Sequence, residues 1–146
     1  MMNRWIVAFA AVSAAAAPAL AGPCPEAVKA AALAGRAGAS IASCKAETEK
    51  GKTQYEVKVA LPDRKTLEID VTPDGKVLKT EEKIAVAEVP AAALRGLFAK
   101  YKDAKVEAAE RQVLADGSVQ FEVRFRAGKA AKEATLDAQG KLLEEE

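Results

Sequence analysis

Two stretches of this chain repeat each other in register. Tyr55-Glu56-Val57-Lys58-Val59 returns as Phe121-Glu122-Val123-Arg124-Phe125, 66 residues further on. Asp74-Gly75-Lys76-Val77-Leu78 returns as Gln139-Gly140-Lys141-Leu142-Leu143 at a spacing of 65, so one residue is lost between the two matches. Similarity held at a fixed period over this length marks a duplicated structural unit. Whatever fold the chain takes has to be built from that unit twice.

Periodicity shows what the unit contains. Tyr55, Val57, Val59 and Leu61 alternate with Glu56 and Lys58, and Leu67, Ile69 and Val71 alternate with Glu68 and Asp70. That is the pattern of antiparallel strands with one buried and one wet face. Thr72-Pro73-Asp74-Gly75 is a tight turn, and Val77-Leu78 opens a third strand ending near Glu82. Ahead of these lie a helix from Pro25 to about Arg36, with a face of Ala, Val28 and Leu33, and a short strand from Ser40 to Glu47. The second copy keeps the order. Pro90 to Tyr101 is a helix with the stripe Leu94, Leu97, Phe98 and Tyr101. Strands follow at Val106–Leu114 and Val119–Phe125, then at Ala134 and Leu136, and after Gly140. Lys83 to Val89 joins the copies and extends the third strand. The expected fold is α+β, a tandem duplicated unit of one helix packed on an antiparallel sheet of about four strands. The units span residues 22–83 and 84–146.

The first 21 residues read as a signal peptide. Arg4 supplies positive charge, Trp5 to Leu20 is apolar, and Ala19-Leu20-Ala21 fits a signal-peptidase cut before Gly22. The apolar run is shorter than the roughly 20 residues a membrane span needs. Pro23 before Cys24 lacks the small residue that lipid attachment requires, so no stable membrane anchor is expected after cleavage. The mature chain then has 125 residues (146 − 21), its net charge falls from +1 to zero, and it contains no His, Trp, Met or Asn. Lys residues are interleaved with Glu and Asp rather than clustered, which argues against nucleic acid as a partner. Cys24 and Cys44 are the only cysteines. In an exported chain they suggest a structural disulfide. Their spacing does not suit a C-x-x-C redox pair, and no His is present to complete a metal site. A helix rising from Cys24 and a strand running back to Cys44 would return both sulfurs to the same end.

Catalytic chemistry finds little support. Nucleophilic hydrolysis needs a base, most often His; only Ser40, Ser43 and Ser118 are available as serine nucleophiles, leaving a Ser-Lys dyad as the residual option. Glu81-Glu82 and Glu144-Glu145-Glu146 are adjacent carboxylates whose neighbours point to opposite faces of a strand. Asp70, Asp74 and Gly75 faintly suggest a calcium loop, but the spacing of its ligands is missing. Tyr55, Phe121 and Phe125, at period two on a buried face, are core rather than a ligand groove.

The stretch Val89 to Glu146 resembles the PepSY-like family of small exported domains, also described as β-lactamase-inhibitor-like. The resemblance rests on Val89-Pro90-Ala91, Phe98, Tyr101, Ala104-Lys105-Val106, Phe121-Glu122-Val123 and Asp137-Ala138-Gln139-Gly140-Lys141-Leu142-Leu143. The first copy matches more loosely, and Lys132, where that copy has Leu67, is expected to fray its strand. The resemblance implies a periplasmic, non-catalytic domain that binds or inhibits something, and it carries over no catalytic residue.

These readings converge on a periplasmic or secreted module that is not an enzyme, needs no cofactor or metal, and acts on a periplasmic or extracellular protein. Its expected binding face is the wet side of the sheet, with Glu56, Lys58, Glu68, Asp70, Glu122, Arg124 and Arg126. The competing reading is a small-molecule or ion sensor in envelope stress or signalling. An exposed binding surface favours the first, and an enclosed pocket with convergent polar groups the second.

Overall fold

The computed structural model describes residues 23–146; the expected signal peptide, residues 1–21, lies outside the described residues. Among the described residues the first element is a short helix, α1 (Glu26–Leu33), followed by four strands: β1 (Ser40–Glu49), β2 (Lys52–Ala60), β3 (Thr66–Val71) and β4 (Val77–Ile84). A 3-10 turn at Val86–Glu88 leads to α2 (Ala91–Lys100). Four more strands follow: β5 (Lys105–Leu114), β6 (Val119–Ala127), β7 (Ala130–Asp137) and β8 (Leu142–Glu145).

The expectation of two tandem helix-on-sheet units is corrected by this topology. All eight strands form one antiparallel sheet in the order β1 to β8, and every strand pairs with its sequence neighbour. Across the point where the copies were expected to part, β4 and β5 pair in an unbroken ladder from Lys79↔Leu114 to Ile84↔Ala109. The fold is dominated by the sheet, and its two helices are only 8 and 10 residues long. The reason is backbone satisfaction. Two separate small sheets would each leave additional strand edges with unpaired N–H and C=O groups, whereas joining β4 to β5 pairs both.

Both helices lie on one face and cover separate patches. Under α1, Val28 and Ala32 pack with Val57, Val59, Ile69 and Val71. Under α2, Ala93 and Leu97 pack with Ala109, Phe121, Val123, Phe125, Ala134 and Leu136. Between them the same face is polar. Thr80 lies opposite Ile69 and Val113, and Glu82 lies opposite Leu67 and Arg111. Among the described residues no helix covers β4 there, so it shows polar residues on both faces and lacks the alternation of its neighbours.

Phe121 and Phe125 are buried, as their period-two spacing predicts, and Tyr101 stacks at a tilt on Phe125 with ring centroids 5.0 Å apart. Three local expectations change. Phe98 is 38% exposed and leaves the helix stripe. Lys83–Val89 does not continue β4 as strand beyond Ile84, because the 3-10 turn intervenes. Lys132 does not fray β7, which runs unbroken from Ala130 to Asp137. Its stem lies along the sheet beside Phe125 while its ammonium rests 5.6 Å over the Tyr101 ring.

Candidate functional site

The face of the sheet opposite the helices is lined mainly by polar and charged side chains. Alternation along β2 and β3 sends Val57, Val59, Ile69 and Val71 under α1 and leaves Glu56, Lys58, Glu68 and Asp70 on the other side. Alternation along β6 does the same for Glu122, Arg124 and Arg126 against Phe121, Val123 and Phe125. All seven residues expected to form a binding face therefore share one side of the sheet. They do not form one cluster. β4 and β5 separate the first four from the last three and contribute Lys79, Glu81, Lys83, Glu110 and Gln112 to the same face.

These intervening groups organise the face. Lys58 Nζ lies 3.0 Å from Glu68 Oε1, and Lys79 Nζ lies 3.5 Å from Asp70 Oδ2 and 2.7 Å from Glu81 Oε1. Gln112, only 2% exposed, donates from Nε2 to Glu81 Oε1 at 2.8 Å and to Glu122 Oε2 at 3.1 Å. It also accepts a hydrogen bond from Gln120 Nε2 at 2.7 Å. One amide thus ties β4 to β6 across β5. On the far side, Arg124 Nε reaches Glu133 Oε2 at 3.9 Å and Arg126 Nε reaches Glu107 Oε1 at 2.8 Å.

Carboxylates outnumber cations in the middle of this face. Glu122 is pushed up to about 7, first by partial burial and then by Glu133, Glu110 and Glu81, with Lys79 opposing. Burial, then Glu81 and Glu68, also raise Glu110. Asp70 is raised mainly by burial, against the pull of Lys79. Sequence reasoning weighed Glu81 only as half of the Glu81-Glu82 pair and left it, Glu110 and Gln112 out of the expected face. Glu81 and Glu110 sit in runs without clean alternation, and a lone Gln gives no signal until its neighbours are known.

Asp70 and Asp74 point to different partners: Asp70 on β3 faces Lys79 on β4, while Asp74 accepts from the Thr72 hydroxyl within its own turn. Among the described residues, no three acidic, Cys or His side chains are placed to hold a metal ion. The cleft near the β2–β3 turn, about 370 Å³ and lined by groups that include Lys58, Arg64, Lys83, Glu68, Glu81 and Glu110, is open to solvent and mixed in charge. On the helix side of the sheet, the sulfurs of Cys24 and Cys44 lie at bonding distance, 2.12 Å, and clip the start of α1 to β1.

No family model and no curated protein matches this sequence. Solved structures do match the fold. A BLIP-like protein from Bacteroides fragilis NCTC 9343 superposes with a TM-score of 0.60 at 18% identity, over 85% of this chain and 86% of that one. A DUF2874 family protein from Bacteroides uniformis ATCC 8492 gives 0.67 at 13% identity, over 84% and 88%. A protein from Bacteroides eggerthii DSM 20697, provisionally described as periplasmic, gives 0.66 at 17% identity, over 86% and 89%. The chain therefore has a BLIP-like fold, shared along nearly its whole described length. At these identities the likeness is one of fold.

Proposed function

We propose that this chain is a non-catalytic module of the periplasm or cell exterior that binds a protein through the helix-free face of its sheet. The observation that carries the reading is the face itself, eight paired strands wide and lined by ion pairs rather than by a closed cavity. A protein surface can cover such an expanse, and mixed charge there sets specificity and on-rate more than raw affinity. The export-type leader in the sequence, the Cys24–Cys44 clip and the fold shared with a BLIP-like protein and a periplasmic-type protein support the location and the binding role. The PepSY-like kinship suggested by the second copy is part of the same proposal, as are the boundaries 22–83 and 84–146. So are the seven residues Glu56, Lys58, Glu68, Asp70, Glu122, Arg124 and Arg126 as contact positions.

Reversing Arg124 and Arg126 to Glu tests it. Both side chains are exposed and their ion pairs are of the weak surface kind, so stability should change by no more than about 1 kcal/mol. Capture of proteins from a native periplasmic extract should weaken. If the double reversal leaves every captured protein unchanged, or if the purified chain turns over a substrate, this reading fails.

A further inference from the structure

An open sheet has two edges, and here they differ. β8 is four residues long and is followed by a third successive glutamate, Glu146. Its Glu145 is already engaged by Lys100 and Tyr101. An edge this short and this acidic repels its own copy. β1 is ten residues long, contains no proline, and has its one irregularity near the start, between Ile41 and Ser43. Ser43–Glu49 is left as a regular run, and among the described residues no strand pairs with its outer side.

The direction of the free groups follows from the hairpin. Lys50 and Gly51 form a two-residue turn with φ of 50° and 76°, so Glu49 and Lys52 are the closing hydrogen-bonded pair. Counting back in twos, Glu47, Lys45 and Ser43 direct their N–H and C=O groups toward β2. Thr48, Ala46 and Cys44 direct theirs outward. Side chains alternate in the same way: Lys45 and Glu47 stand on the helix-free face beside Glu56 and Gln54, and Cys44, Ala46 and Thr48 stand on the other.

We propose that the outer edge of β1 pairs with the same edge of a second copy of this chain, antiparallel about a two-fold axis at Ala46, so that one sheet runs through both protomers. In that register Ala46 faces the partner's Ala46 and Cys44 faces the partner's Thr48. All are outward-directed residues, so each facing pair exchanges two backbone hydrogen bonds. Lys45 then stands opposite the partner's Glu47, and Glu47 opposite the partner's Lys45, which gives two cross-strand ion pairs.

Neighbouring registers lose this match. An axis at Lys45 or at Glu47 sets a charge against its own copy. An axis at Thr48 sets Glu47 against the partner's Glu49, and an axis at Cys44 sets Lys45 against the partner's Ser43 and forms no ion pair. In the single chain Lys45 Nζ and Glu47 Oε1 already lie 2.9 Å apart on an exposed edge, so both charges are held where a partner would meet them. Such a contact is isologous and closes on itself, with no filament implied.

The test is sedimentation velocity of the mature chain over protein concentrations rising to about 1 mM, where weak self-association is readable. A reversible monomer–dimer equilibrium is expected. Lys45→Glu alone and Glu47→Lys alone each place like charges across both pairs, and each should weaken dimerisation about tenfold or more. Mixing the two single variants should restore association as a mixed dimer, because one edge is then wholly negative and the other wholly positive. Ala46→Pro removes the outward N–H at the axis and should abolish the dimer, with thermal melting confirming that the variant is folded. A chain that stays monomeric throughout overturns the proposal. So does a dimer indifferent to Ala46→Pro, or a mixture that fails to pair.

Discussion

Glu122 sits midway along β6, with Glu110 opposite it on β5 and Thr135 opposite it on β7. Gln112 gives it one hydrogen bond, and the opposing pull of Lys79 is smaller than the push from burial and from Glu133, Glu110 and Glu81. Its carboxyl titrates near 7 in the folded chain against an ordinary value of 4.5. A carboxyl whose folded value is raised binds its proton more tightly in the native state. Its contribution is therefore favourable below about pH 4.5 and is lost as pH rises toward and through 7. Glu122→Gln removes the charge and keeps an acceptor for Gln112. It should raise the stability by about 1 kcal/mol at pH 8, discounted for solvent screening, and leave it nearly unchanged at pH 4. Urea unfolding at the two pH values checks this; an equal effect at both would mean that packing rather than charge sets the behaviour of Glu122. The raised value was not legible in the sequence, because it comes from strands 10 or more residues away that only the sheet brings alongside.

Each helix is held to its sheet at a point where backbone nearly touches backbone. In α2, a Cβ built on Gly96 would fall 1.8 Å from the carbonyl oxygen of Gly140, in the turn between β7 and β8. Gly140 itself has φ of 97°, a conformation that other residues rarely adopt. At the other helix, a Cβ on Gly75 would fall 2.9 Å from the Ala27 carbonyl oxygen. Helix propensity alone says that Gly96→Ala should stabilise α2 by about 1 kcal/mol. The contact reverses the sign, and the substitution should cost about 2 kcal/mol or more, because neither backbone can withdraw. A melting temperature above that of the unaltered protein would refute the contact. α1 has a different fastening, the Cys24–Cys44 clip across 20 residues. Thiol titration of the denatured, unreduced protein should find no free thiol, and replacing both cysteines by Ser should cost roughly 3 kcal/mol. The turn role of Asp74-Gly75 and the helix positions could be read from residue types alone. The closeness of Gly96 to Gly140 could not, since the two are neither in one element nor at any telling spacing.

The described residues form two apolar cores on one sheet. Val57, Val59, Ile69 and Val71 belong to one core, and Phe121, Val123, Phe125 and Leu136 to the other, with the polar stripe of Thr80, Glu82 and Arg111 between them. The cores do not touch across that stripe, yet β4 and β5 pair along their length and Gln112 bridges to both sides. Losing either half would expose a long strand edge, so the two should unfold together. Tyr55→Trp and Tyr101→Trp each place a probe beside a different core, in a mature chain expected to hold no other Trp. Urea midpoints measured from the two probes should coincide. Midpoints that separate would mean that the β4–β5 ladder does not couple the halves.

Local pattern by itself determined the strands and their turns and, where alternation is clean along β2, β3 and β6, which residues are buried and which stand on the wet side. Alternation of Val57 and Val59 with Glu56 and Lys58, or of Phe121 and Phe125 with Glu122 and Arg124, is a period-two signal that needs no partner to be read. The repeat also predicted a second round of the same elements, and the spacing of Cys24 and Cys44 allowed their closure. Only the tertiary structure decided that the two expected copies do not stand as separate units. That choice is made by hydrogen bonds between β4 and β5, which depend on backbone groups common to every residue and leave no mark in side-chain pattern. It also decided the composition of the helix-free face, where Glu81, Glu110 and Gln112 come between the two halves of the expected site. Their charges act through space, across strands far apart in the chain, and distance in space is what sequence order does not record.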